Sequence, residues 1–208
     1  MRKGAIRKQS RGSLIAGAIA TCFLLAPWQA DGQNRPLLLR FSPSDTSVRF
    51  TLGDIFHTVH GSFNLKSGDV EYSSDPISMR GTVVIDATSG ASGNKSRDRK
   101  MHREVLESAR FPEISFRPDR SNGTVAPLGN STIQVHGVFS IHGADHELTI
   151  PVRVQMFPDH WVADAQFNVP YVKWGMRNPS TLLLRVSESV EIEVHATGAN
   201  PFGDSVRR

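Results

Sequence analysis

"TIQVHGVFSIHGADHELTIPVRVQM", residues 132–156, decides the fold. Apolar side chains recur at every second position: Ile133, Val135, Phe139 and Ile141 before the "HGAD" break, then Leu148, Ile150, Val152, Val154 and Met156 after it. Period two is the signature of a strand with one buried face, because successive side chains leave a sheet on opposite sides. "HGAD" has turn composition, so the two runs read as a hairpin.

The alternation continues outward in both directions. "SVRFTL" aligns Val48, Phe50 and Leu52. "HTVHGSFNL" aligns Val59, Phe63 and Leu65, with His60 on the opposite face. "ISMRGTVVIDA" aligns Ile77, Met79, Val83 and Ile85. "EISFRP" adds Ile114 and Phe116, and "HWVADAQFNV" adds Trp161, Ala163, Ala165, Phe167 and Val169. "TLLLRVSESVEIEVHA" gives Leu182, Leu184 and Val186, then Val190, Ile192 and Val194. Between the runs lie "KSGD", "SSDP", "SNGT", "FPDH" and "ANPFGD", all turn-like. Eight or more strands at short spacing predict one antiparallel sheet, closed or sandwiched.

One segment breaks the rhythm. "SGNKSRDRKMHREVLESARFPEISF", residues 92–116, carries six Lys or Arg. Its apolar residues Met101, Val105, Leu106 and Ala109 are spaced for a helix over residues 98–110. Asp98 is placed to cap it, Pro112 to close it, and Lys100–Glu104 and Arg103–Glu107 to pair across one turn. Its basic side, Arg97, Arg99, Lys100 and Arg103, reads either as a solvated face or as a contact for an anionic head group.

The first thirty residues stand apart. "MRKGAIRKQSRG" holds five positive charges and no acid, an apolar run of 14 residues follows, and "PWQADGQ" comes next. This is the order of a secretory signal peptide, residues 1–30, ahead of a domain over 31–208 with its core at about 37–197; the run is short of the roughly 20 residues of a membrane span. Taking those five charges from the 24 Lys and Arg leaves 19 against 20 Asp and Glu, so the domain is near neutral and no nucleic-acid partner is expected. The one cysteine, Cys22, lies in the leader, so no disulfide holds the domain.

Catalytic signatures are missing: there is no Gly-x-Ser-x-Gly, no P-loop and no dinucleotide fingerprint. The domain is not expected to be an enzyme. Histidine is the exception, with eight in the chain. A metal-dependent protein built around His57, His136, His142 or His146 is the alternative reading, with His142 and His146 flanking the "HGAD" turn. "NVPYVKWGMRNPS", residues 168–180, reads as an aromatic loop capping a barrel end or anchored on the core through Trp174.

The order of these pieces resembles a known family. "SVRFTLGDIFHTVHGSF" is similar to its opening strands, "NKSRDRKMHREVLESARFPEISF" to its charged helix followed by a Phe-Pro-x-Ile-x-Phe strand, "VHGVFSIHGADHELTIPV" to its Gly-containing hairpin, and "KWGM" to its aromatic-Gly loop. The family is that of the YceI-like, polyisoprenoid-binding, lipocalin-like proteins of bacterial periplasms. The resemblance implies an all-β fold, an eight-stranded antiparallel lipocalin-like barrel with one short helix between strands. It also implies a periplasmic monomer or homodimer that needs no cofactor, holds an isoprenoid chain, an isoprenoid quinone or a similar lipid, and makes transient contact with a membrane. The ligand-lining residues expected are Phe50, Leu52, Phe63, Val83, Ile85, Phe116, Phe139, Ile150 and Phe167, with Met101, Leu106 and Trp174 closing the barrel.

Overall fold

The computed structural model describes residues 36–53, 58–74, 77–180 and 185–201. The expected signal peptide, Cys22, His57, Leu182, Leu184 and the end of the tail lie outside the described residues.

Nine strands form one antiparallel sheet: β1 (Leu37–Phe41), β2 (Thr46–Gly53), β3 (Thr58–Ser74), β4 (Ile77–Ala91), β5 (Glu113–Asn122), β6 (Gly129–Ile141), β7 (Ala144–Met156), β8 (His160–Val169) and β9 (Val190–Ala199). The sheet runs β3-β2-β9-β8-β7-β6-β5-β4 and closes by pairing β4 with β3, giving an eight-stranded barrel. β1 continues the line of β2 along the same edge of β3: Phe41 lies opposite Gly68 and Val48 opposite Phe63. The sequence reading found the eight barrel strands and missed β1.

The hairpin at residues 132–156 has the expected register, from Gly129 opposite Met156 to Ile141 opposite Ala144. Its loop is His142–Gly143, with φ of 53° and 76°. Two left-handed residues make the tight turn whose twist matches that of the flanking strands, and histidine is among the residues that tolerate this conformation.

"KSGD" is not a turn. β3 runs through it as a strand of 17 residues. Val59, Phe63 and Leu65 face inward, Lys66 and Ser67 both face solvent, and Gly68, Val70 and Tyr72 face inward again. The register against β4 shifts between Leu65 and Ser67. One extra residue moves the inward positions from odd to even numbers, which a period-two reading registers as a break.

The helix also departs from expectation. Its cap is Asn94, whose side chain accepts from the Ser96 and Arg97 amides; α1 spans Lys95–Lys100 and passes directly into a π-helical turn, Met101–Val105. Asp98 instead accepts from the Ser92 amide and hydroxyl. Glu107 is left-handed at φ 46°, which ends the helix before Ala109 and leaves Ala109 exposed. The wider π turn also breaks the one-turn spacing: Glu104 pairs with Arg103 at 2.6 Å and Arg177 at 3.7 Å, and Glu107 with Arg110 at 3.8 Å. The last strand starts at Val190, so Val186 lies outside it. Ile77, expected inside, is 40% exposed.

The wall is not uniformly zipped. β4 and β5 pair only from Val83 opposite Phe116 to Asp86 opposite Glu113. β7 and β8 pair only from Val152 opposite Ala165 to Met156 opposite Trp161. Thus β7 and β8 part toward the end carrying the helix (the lid end), whereas β4 and β5 stay side by side beyond the end of their ladder, toward the other (the far end).

Close backbone approach is built into the interior at Gly61, where a Cβ would stand 2.2 Å from the Phe50 ring and 2.5 Å from the Ala91 carbonyl oxygen. Gly61→Ala is therefore expected to destabilise the barrel by about 1–3 kcal/mol through overpacking, read as a lower urea midpoint with an unchanged slope.

Candidate ligand-binding cavity

The inward side chains do not meet at the barrel axis. They enclose a cavity of about 690 Å³ that reaches from the helix to the far end. Eleven of the twelve residues expected to line or close it do so: Phe50, Leu52, Phe63, Val83, Ile85, Met101, Leu106, Phe116, Phe139, Ile150 and Phe167. The sequence did not single out Leu37, Leu39 and Phe41 of β1 or Val125 of the β5–β6 loop, which form its far end. Alternation finds inward residues only inside strands that have been recognised.

Trp174 is the twelfth, and it lies outside the lining. Its indole stacks on the His146 imidazole at 4.1 Å and 4° and sits 5.7 Å from the Phe139 ring. His146 occupies an inward register position on β7 where β8 has already parted. The ring pair thus sits beside that parting as a plug. His146 Nε2 is buried there without a hydrogen-bond partner among the described residues.

At the lid end the wall becomes polar. Ser92, Asn94, Ser96, Arg97 and Lys100 border the cavity, together with Pro179. Arg97 donates to the Ser92 hydroxyl (2.8 Å) and carbonyl (3.0 Å), and Lys100 to the Pro179 carbonyl at 2.8 Å. Of the four basic residues read from the sequence, Arg97 and Lys100 therefore border the mouth, while Arg99 and Arg103 do not. Below them Met101 packs its terminal methyl over Gly90, where a Cβ would stand 2.8 Å away.

His102 fastens the lid. Its Nε2 donates to the Gly90 carbonyl at 2.8 Å, leaving Nδ1 to accept from the Ser108 hydroxyl at 3.0 Å. The remaining histidines are dispersed. His136 contacts Asp119 at 2.9 Å on the outer face, and His142 faces Glu107 at 3.3 Å. Among the described residues no group of three His, Cys, Asp or Glu side chains stands together to hold a metal, so His136, His142 and His146 form no common site.

Residues 39–198 match the YceI-like domain. The chain belongs to the YceI-like family. Solved structures of similar fold include a polyisoprenoid binding domain from Saccharophagus degradans (13% identity, TM-score 0.61, covering 80% of this chain and 100% of that one). BcnA from Burkholderia cenocepacia is similar at 15% identity and TM-score 0.61, over 76% and 99% of the two chains. A Campylobacter jejuni YceI protein follows at 11% and 0.55, over 69% and 86%. Comparison with curated proteins gives no match. At these identities the shared property is the barrel itself.

Tyr171 anchors the loop after β8 by donating to the Ser187 carbonyl at 2.7 Å, and burial, with Glu188 acting in the same direction, pushes its phenol up to about 12. A phenol whose pKa is raised on folding supports the fold fully below its unfolded value of about 10 and loses that support as pH climbs through the folded value. Alkaline absorbance titration is expected to leave Tyr171 un-ionised until about pH 12. In Tyr171→Phe that late step disappears and stability falls by about 1 kcal/mol at neutral pH.

Proposed function

We propose that this YceI-like protein is an exported, periplasmic lipid carrier. It takes an isoprenoid, an isoprenoid quinone or a similar long-chain amphiphile into the barrel, holds it without transforming it, and releases it intact. The observation that carries this reading is the 690 Å³ cavity walled by alternating apolar side chains, with cationic groups confined to one mouth. Its volume lies in the range of small-molecule sites. A slender chain recovers roughly 0.8 kcal/mol per buried CH₂, so strong binding needs few polar contacts. The name of the Saccharophagus degradans relative, a polyisoprenoid binding domain, supports the same ligand class.

The polar rim adds a preference for an acidic head group. Arg97 and Lys100 already hold neutral oxygens at the mouth, and a phosphate or carboxylate would replace these by charge-assisted bonds.

Protein purified from exporting cells is expected to release one long-chain lipid per chain on solvent extraction and mass spectrometry; lipid-free protein that also fails to bind an added prenol would refute the reading. Replacing Arg97 and Lys100 by Gln is expected to weaken binding of a prenyl phosphate by about tenfold or more while leaving the neutral prenol unchanged, because charged hydrogen bonds are worth ~1.5–3 kcal/mol. Competition titrations against one fluorescent prenol measure both.

A further inference from the structure

At the lid end the barrel is closed by two different means. The mouth along the axis is covered by the helix, which hydrogen bonds hold in place: His102 to the Gly90 carbonyl and the Ser108 hydroxyl, Arg97 and Asp98 to Ser92, and Lys100 to the Pro179 carbonyl. The side of the barrel, where β7 and β8 part, is covered by the stacked rings of Trp174 and His146.

This parting is written into the sequence. The ladder that begins at Met156 opposite Trp161 stops at Val152 opposite Ala165. The next residue on β7 is Pro151. Counting from the two-residue loop at His142–Gly143, Ala144 turns its backbone polar groups toward β6, and the odd-numbered residues that follow turn theirs toward β8. The N–H of residue 151 would therefore carry the ladder on to Gln166, and proline has none. Beyond it Ile150 would face Phe167 and Leu148 would face Val169, and neither pair forms. Ile150, Phe167 and Val169 line the cavity, so the unpaired stretch borders the lumen.

The loop that carries the indole is fixed on both sides of it. Tyr171 and Met176 are 4% and 3% exposed, and the Met176 amide donates to the Tyr171 carbonyl at 3.0 Å. The indole itself is free of such ties. Among the described residues it makes no hydrogen bond, and its ring contacts are His146 at 4.1 Å and Phe139 at 5.7 Å. Its neighbours Lys173 and Gly175 are exposed, and nothing stands within 4 Å of where a Cβ on Gly175 would be. A change of rotamer at Trp174 thus needs no movement of the backbone. His146 supplies the opposing pull. Its Nε2 is buried with no hydrogen-bond partner among the described residues, and a polar atom so placed destabilises the arrangement that buries it. The closed arrangement gains the ring stack, and an open one gains a hydrogen bond from water to the imidazole. These gains are of comparable size, as a gate requires.

We propose that Trp174 gates a lateral portal between β7 and β8: its indole swings off His146 to admit the hydrocarbon chain of the ligand sideways into the barrel, and swings back behind it. The gate rests on the carrier reading and adds the way in. Trp174 and His146 then set the rates of uptake and release, while the cavity lining sets affinity.

The test uses dansyl-tagged farnesol, dilute enough to stay monomeric, and follows it by stopped flow as it enters the exported protein and again as excess untagged farnesol displaces it. Trp174→Ala is expected to speed uptake and release alike, each about tenfold, with equilibrium affinity unchanged within about twofold, because a gate alters the barrier and not the end states. His146→Phe keeps the stack and removes the unsatisfied nitrogen, and is expected to slow both rates about threefold or more. Wild-type rates in both variants would overturn the gate and leave the carrier standing. So would a loss of affinity in Trp174→Ala carried by release alone, which marks the indole as part of the holding site. If Trp174→Ala does not fold, His146→Phe decides by itself, and exchange that is unaltered or faster there overturns the gate. A wild type that takes up no probe at any concentration removes the carrier reading and the gate together.

Discussion

Closure of the barrel rests on β3, a strand of 17 residues that offers one edge to β2 and then β1 and the other to β4 while its inner face stays apolar. Its first half pairs with β2 and its second with β1, and β4 follows the opposite edge to the tip. A strand this long accumulates twist, and a barrel needs it to turn. The bulge at Leu65–Ser67 provides the turn and resets which residues face inward. With strict alternation instead, Val70 and Tyr72, only 4% and 3% exposed, would point into water and the far-end core would lose two of its five buried residues.

Tyr72 links that closure to the loops. Its ring belongs to the far-end cluster with Val70, Met79, Ile133 and Val135, and its hydroxyl holds the loop that carries Val125. The lid end is built on another plan, with helix, π turn and the loop after β8 converging on Leu106, Phe139, Tyr171 and Met176. Polar side chains reach the cavity chiefly here. On the proposed carrier reading, an amphiphile would lie with its head group at the helix and its chain toward β1. That polarity follows from where Arg97 and Lys100 stand, not from any special shape of the tunnel.

The sequence disclosed the barrel because each wall strand alternates, and it disclosed most of the lining because inward and apolar coincide. It failed where backbone geometry rather than side-chain polarity carried the information. Lys66 and Ser67 look like a turn because two successive polar residues end an alternation whether the chain reverses or merely bulges. Asp98 looks like a cap because capping residues precede helices, yet Asn94 four positions earlier fills that role and Asp98 tethers Ser92. The shift from α to π geometry at Met101 leaves no mark in the apolar spacing, so the ion pairs of Glu104 and Glu107 were assigned to the wrong neighbours. Trp174 is legible as an end cap or a loop anchor, but its partner is not: His146 enters the sequence reading as a ligand only through the alternative metal site, because a histidine beside a turn carries no sign of what will stack on it.

The placement of the two tryptophans of the barrel, Trp161 and Trp174, gives the molecule a built-in optical axis. Trp161, 2% exposed, is wedged against Gly198 and the edge of Phe41 at the far end. Trp174 lies at the opposite end with an imidazole on its face. One indole is buried against a ring edge and a glycine, and the other is stacked on an imidazole, so the two sit in different surroundings. Each end of the barrel thus carries its own intrinsic fluorophore, and events at the lid and at the far end can be told apart in the unlabelled protein.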